Sequence, residues 1–429
     1  MKTNALLLAV LMGAAACTRA ADTATTSTAP PTNTSTTVAE ASTTTAQAPG
    51  IEELSPELQA ELSELIATTE ELRGLDFVDP PQINVVTPDE LEALVREGIE
   101  EDTEFVDVDQ ALFRTLGLLD DETDLMSLYT DVLGEQVAGF YDTDTLEMVV
   151  PMRSEGFSAL ERSTIVHELT HALADQHFGI GDIYDELIDG ERYDEASAFQ
   201  AVVEGDAVQT ELSYLRGLSI DEQREVIEES LAVDSSALDS APRFLQESLL
   251  FPYVSGQVFV ERLQNLGGRE AVDAAYSDRP VSTEQILTPE DYGRDQPVVI
   301  SLLDVALDGY QRSYGSVWGE LSFELMFNQI LGGRPEAAEG WGGDRYDLFF
   351  DGTDVALVLV YQGDSEQDTT ELEQALIEYH EAVLGAAPDA GGVFTADDYA
   401  FVSREGAELR WVVASDPSAG ATLTAALSQ

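Results

Sequence analysis

The stretch that decides the fold runs Ser158-Ala-Leu-Glu161-Arg-Ser-Thr-Ile165-Val-His167-Glu168-Leu169-Thr170-His171-Ala-Leu-Ala174. Ser158 and Glu161 have the spacing of a capping box, in which each side chain satisfies a backbone N–H at the start of a helix. Within that helix His167 and His171 lie four residues apart. They differ by about 40° in azimuth, so both imidazoles point the same way. Two such rings can share one tetrahedral zinc ion. Glu168, beside the first ring, can reach a zinc-activated water as general base. Ile165, Leu169, Ala172 and Leu173 form an apolar stripe on the other side that commits the helix to the core.

A zinc site needs a third protein ligand, and two residues offer themselves. Glu204 lies in Val202-Val203-Glu204-Gly205-Asp206-Ala207, a helix-like segment where a solvent-facing acid is unexpected. His177 follows His171 by six residues, a spacing that ligates only where the chain turns out of the helix at a glycine. Ala174 stands at that position. If the helix runs on, His177 points about 100° away from the two-histidine face. The geometry favours Glu204, and a solvated acid in an acidic protein is its plain alternative. Gly205 would let the backbones of this helix and the histidine helix come close.

His167-Glu168-x-x-His171 followed by a distant Glu-Gly-x-Ala resembles the gluzincin zinc peptidases. More closely, the chain is similar to a group of secreted bacterial proteins that read HELTHAL…EGDA. The matching pieces include Gly139 to Asp142, His167 to Leu173, Asp175 to Phe178, Glu204 to Ala207, Phe251-Pro252-Tyr253, Ser282 to Ile286 and Gly340 to Tyr346. The resemblance spans roughly residues 70–360. It implies zinc held by His167, His171 and Glu204. Such enzymes often carry an acid four residues after the glutamate ligand to orient a histidine. Val208 stands there, with Asp206 two residues after Glu204, so the outer partners of the ligands stay unassigned. Tyr253 and Arg345, in family-like segments, are candidates to stabilise an oxyanion or hold substrate. His380 reads as a surface residue.

Twenty basic against 83 acidic residues give the 429-residue chain a net charge of −63. Nothing here can neutralise a run of phosphates, which excludes nucleic acid as a partner. Docking on an anionic membrane surface is excluded for the same reason. Cys17 is the only cysteine, so no disulfide forms within the chain. It ends a short segment with a positive start, an apolar stretch from Ala5 to Met12 and small residues from Gly13 to Ala16. This resembles a bacterial lipoprotein signal over residues 1–17, with Cys17 as the lipidated residue. Ordinary cleavage after an Ala-x-Ala site is the alternative. Residues 18–50 are rich in Thr, Ala, Ser and Pro and read as a disordered linker.

The rest reads as an α+β protein. Residues 51–335 form a mostly helical, zincin-like body, with a strand at Gln82 to Val86 and a hairpin at Val137 to Val150 just before the zinc helix. That hairpin is the natural place for an extended substrate to pair. Residues 336–429 form a C-terminal α+β unit, with strands near Arg345, Val355, Tyr399 and Glu408 around a helix from Thr369 to Leu384. The expected function is a zinc metallopeptidase acting on a peptide or protein substrate, with Glu168 as general base. The alternative is a non-catalytic binding or scaffold lipoprotein of the cell envelope. The expected location is the outer face of a bacterial membrane, held only through the N-terminal lipid, or free after secretion.

Overall fold

The computed structural model describes residues 54–101, 105–154, 156–302 and 305–427. The signal-like segment, Cys17 and the linker lie outside the described residues. The fold is α+β: a helical body with a three-stranded sheet, joined to a six-stranded antiparallel sheet.

The small sheet has the order β1-β3-β2, from β1 (Gln82–Val86), β2 (Phe140–Asp142) and β3 (Glu147–Pro151). The hairpin expectation holds for β2 and β3, and β1 joins parallel to β3 on the other side. Successive residues of β3 point to opposite faces. Met148 and Val150 meet Ile165, Val166, Leu169 and Ala172 of the helix Ala159–Phe178, whereas Val149 enters the main core. Both faces are covered, so the strand reads as an unbroken apolar run. From β3 the chain runs on to the histidine helix.

The second sheet has the order β4-β5-β6-β9-β8-β7. Its strands are β4 (Gln311–Ser316), β5 (Trp341–Phe350), β6 (Val355–Gly363), β7 (Val393–Thr395), β8 (Tyr399–Glu405) and β9 (Glu408–Ala414). The boundary expected at residues 335 and 336 therefore falls inside this unit. Its edge strand β4, Gln-Arg-Ser-Tyr-Gly-Ser, is too polar to show an alternating pattern. The helix Glu366–Leu384 covers one face and Pro417–Leu427 the other. The first face shares one core with the helical body, so the sheet packs on the body. Two buried acids fix the segments that meet near the joint. Asp344 accepts from the backbone N–H groups of Trp318 and Gly319 and from Trp341 Nε1. Asp194 accepts from both the backbone and the hydroxyl of Thr283. His380 is not on the surface. It is 1% exposed, one turn beyond Leu376 on the apolar stripe, and its Nε2 accepts from Trp411 Nε1 at 2.8 Å. Burial holds its imidazole down to about 3, so it stays neutral.

The body is built around two 25-residue helices, Tyr193–Gly217 and Arg243–Gly267. They cross at glycines. A Cβ on Gly205 would stand 2.2 Å from the Gly256 carbonyl oxygen, and one on Gly256 would stand 2.1 Å from that of Ala201. Gly205 does permit a close backbone approach, but to this crossing helix, not to the histidine helix.

A methyl group at Gly256 has nowhere to go except by parting these backbones. Gly256→Ala is expected to destabilise the protein by about 3 kcal/mol, seen as a fall in melting temperature. Gly217→Ala, where no atom lies within 4 Å, should change stability by less than about 1 kcal/mol. Equal melting temperatures for the two variants would contradict the crossing as described.

Candidate metal centre

The histidine helix begins as its sequence dictates. Ser158 Oγ accepts from Glu161 N–H at 3.2 Å, and Glu161 Oε2 accepts from Ser158 N–H at 2.9 Å. The helix runs on through Ala174 to Phe178 and stops at Gly179, which takes the left-handed conformation at φ 70°. His177 is therefore carried off the ligand face. It is exposed, with its ring nitrogen Nε2 2.8 Å from the Asp76 carbonyl oxygen.

His167, His171 and Glu204 come together in the interior. One ligand atom from each lies within 4.8 Å of the others, and together they could hold a metal ion. Glu204 Oε2 stands 3.1 Å from His167 Nε2 and 3.4 Å from His171 Nε2. Only the first of these has hydrogen-bond geometry. His171, 1% exposed, has no hydrogen-bond partner for either ring nitrogen. Glu204 is 2% exposed. Burial alone would raise its carboxyl, but His171 and His167 outweigh this and hold it down to about 2. Burial likewise opposes a proton on His167. Its bonds to Glu204 and Glu211 overcome that and raise it well above the usual 6.5.

Glu168 is also buried, and its Oε2 has no hydrogen-bond partner. Burial raises its carboxyl above the usual 4.5, against the pull of His171 and His167. It borders a cleft of about 250 Å³ together with Thr164, His167, Glu211 and Tyr253. Leu238, Leu249 and Leu250 form the apolar wall, and Ala138-Gly139, the lead into β2, forms another side. Three carboxylates thus surround two imidazoles with no arginine or lysine paired to Glu168, Glu204 or Glu211 among the described residues. Such a set is costly to bury unless a cation joins it.

Of the remaining sequence candidates, one joins the site. Tyr253 lines the cleft, and its ring stacks on His167 with centroids 6.2 Å apart. Arg345 does not. It sits on β5, is ion-paired to Glu191 at 3.3 Å and does not border the cleft. Asp206 is likewise turned away from the metal side. It takes Arg73 Nε at 2.8 Å and the Tyr276 hydroxyl at 2.9 Å.

The residue missed in the sequence is Glu211, whose Oε2 lies 3.4 Å from His167 Nδ1. It follows Glu204 by seven residues, two helical turns, and so shares its face. That periodicity was available, but an acid at this spacing is unremarkable among 83 acidic residues. A carboxylate on the outer nitrogen of a metal-ligating histidine fixes its tautomer and orientation.

Residues 308–424 match the model of a domain of unknown function, DUF8575. The matched region covers the six-stranded sheet and ends well clear of the His167, His171 and Glu204 cluster. No curated protein and no solved structure matches the chain.

Metal affinity should therefore collapse in Glu204→Ala and stay near wild type in His177→Ala. Glu211→Gln should weaken it by about 10–100-fold. Competition against a chromogenic chelator measures all three. A loss in His177→Ala equal to that in Glu204→Ala would contradict this arrangement.

Proposed function

We propose that the chain is a zinc-dependent peptidase. The observation that carries this reading is the spacing of the three donors. Two atoms bound to one tetrahedral zinc at about 2.05 Å stand roughly 3.3 Å apart. Glu204 Oε2 lies 3.1 and 3.4 Å from the two imidazole nitrogens. Two imidazoles and a carboxylate also make one of the donor sets of catalytic zinc, which leaves a coordination position open. The partnerless nitrogens of His171 support the same fit, because a buried imidazole otherwise finds a hydrogen bond.

In this reading His167, His171 and Glu204 hold the ion. Bound zinc supplies Lewis acidity and brings the pKa of a coordinated water toward neutral. Glu168 is the base that takes the proton of the attacking water and returns it to the leaving amine. Its burial keeps it basic enough for that task. Glu211 holds His167 in the tautomer that presents Nε2 inward. Tyr253 is the donor proposed for the developing oxyanion. A peptide substrate is favoured by the entry to β2, since Ala138 and Gly139 bring backbone along one side of the cleft. Among the described residues β2 is an edge strand of its sheet, and the half-buried Ala138 leading into it is where an extended chain would pair. Export and lipidation at Cys17 belong to the same proposal. Among the described residues no helix is long and apolar enough to cross a membrane.

Glu168→Gln is the test. The wild type should cleave members of an unbiased peptide library. The variant should lose about 10²–10⁴-fold in kcat while keeping close to one zinc per chain. A wild type that cleaves nothing, or a variant as active as wild type, would sink the peptidase reading.

A further inference from the structure

A second cluster of acids lies where the helical body meets the end of β6. The short helix Glu284–Leu287 opens with Glu284, Asp295 lies in the loop beyond it, and Asp364 directly follows β6. One carboxylate oxygen from each lies within 4.8 Å of the others. The three segments are held by ties that leave these carboxylates unused. Gln285 Nε2 donates to the Asp295 carbonyl at 2.7 Å, and its Oε1 accepts from Val281 N–H at 3.0 Å. Asp364 N–H donates to the Gly340 carbonyl at 3.0 Å, and Val298 N–H to that of Gly342 at 2.7 Å.

Glu284 sets this cluster apart from the many acids on the surface. It is 4% exposed as a residue, and among the described residues its carboxylate has no hydrogen-bond or ion-pair partner, while its oxygens keep some contact with solvent. Its neighbours deepen the difficulty. Burial first, then Glu320, Asp295, Asp364 and Asp291, push its carboxyl up to about 9. Glu320, itself buried, is raised to about 8, by burial and then by Glu324 and Glu339. Buried acids in proteins are paired, hydrogen-bonded or coordinated to a metal, and Glu284 has neither of the first two.

The donors are all oxygen, with no imidazole or thiolate, which suits a hard cation. They come from three separate segments, and Asp295 and Asp364 are partly or fully open to solvent, so water can complete a shell of six to eight ligands. That favours calcium over magnesium, which demands a tighter octahedron. We propose that Glu284, Asp295 and Asp364 form a calcium site that fastens the C-terminal sheet to the helical body.

The test uses the full chain, freed of metal with a chelator and kept at constant ionic strength, because any salt will screen so acidic a protein. Calorimetric titration should find one calcium ion per chain, with Kd roughly 0.1–1 mM. Saturating calcium should raise the melting temperature by several degrees more than magnesium does. Asp364→Asn and Glu284→Gln should each weaken binding at least tenfold and remove that extra rise. Each should also melt higher than wild type without calcium, since a like charge is gone. His171→Ala, in the other cluster, should keep the calcium response. No calcium-specific response in the wild type, or an unchanged one in Asp364→Asn, overturns the proposal. Asp364 is exposed, so that variant decides the matter even if Glu284→Gln fails to fold.

Discussion

Glu204 is a carboxylate in the interior of an acidic protein, held between two imidazoles, and the helices around it are arranged to make that position tenable. Its own helix shows how. Residues 204, 206 and 211 are all acids, yet each has a different environment. Asp206, about 200° around the helix from Glu204, is anchored by Arg73 and Tyr276 on the far side. That bond fixes the rotation of the helix about its axis. Glu211, two turns along the same face, reaches the outer nitrogen of His167. Between them Gly205 lets the crossing helix press its Gly256 backbone against the same turn. Rotation, depth and outer partner of the carboxylate are thus set by three neighbours within one short stretch.

The C-terminal sheet contributes at a distance. Asp344 on β5 binds the backbone at the start of the helix Gly319–Leu331, Asp194 binds Thr283 within the body, and each tolerates burial because it accepts two or more hydrogen bonds. Two pieces of the family-like sequence fall here, Ser282 to Ile286 and Gly340 to Tyr346. They join the sheet to the body and do not line the cleft. Likewise Asp175, Gln176 and His177 bind Tyr141, the backbone at 78–79 and Asp76, which secures the end of the histidine helix. A motif repeated in a resemblance need not be chemical; here three of the seven pieces are fasteners.

What could be read from the sequence was local. The capping box, the continuation of the helix through Ala174, the strand at Gln82–Val86 and the hairpin before the helix each follow from spacing and period within a few residues. The geometric preference for Glu204 over His177 also rested on one helix alone. Most of the misreadings are long-range. Nothing local reveals that Gly205 meets Gly256, since they are 51 positions apart on different helices. The polar edge strand β4 is defined by its partner β5 and not by its own pattern. Arg345 sits in a family-like segment, but Glu191, 154 positions away, pairs with it. His380 is the local exception: it lies one turn beyond Leu376 and two beyond Leu372 on the same buried stripe, where an ionisable side chain is unexpected. Its burial is possible because Trp411 gives the neutral ring a donor.

The central claim is that two imidazoles and one carboxylate hold a single zinc ion. X-ray absorption at the zinc edge, on the full chain loaded with one equivalent, tests it most directly. The predicted result is a four-coordinate shell of nitrogen and oxygen at about 2.0–2.1 Å, with the scattering pattern of two imidazoles. A shell with three imidazoles, an all-oxygen shell, or a chain that retains no zinc would contradict it.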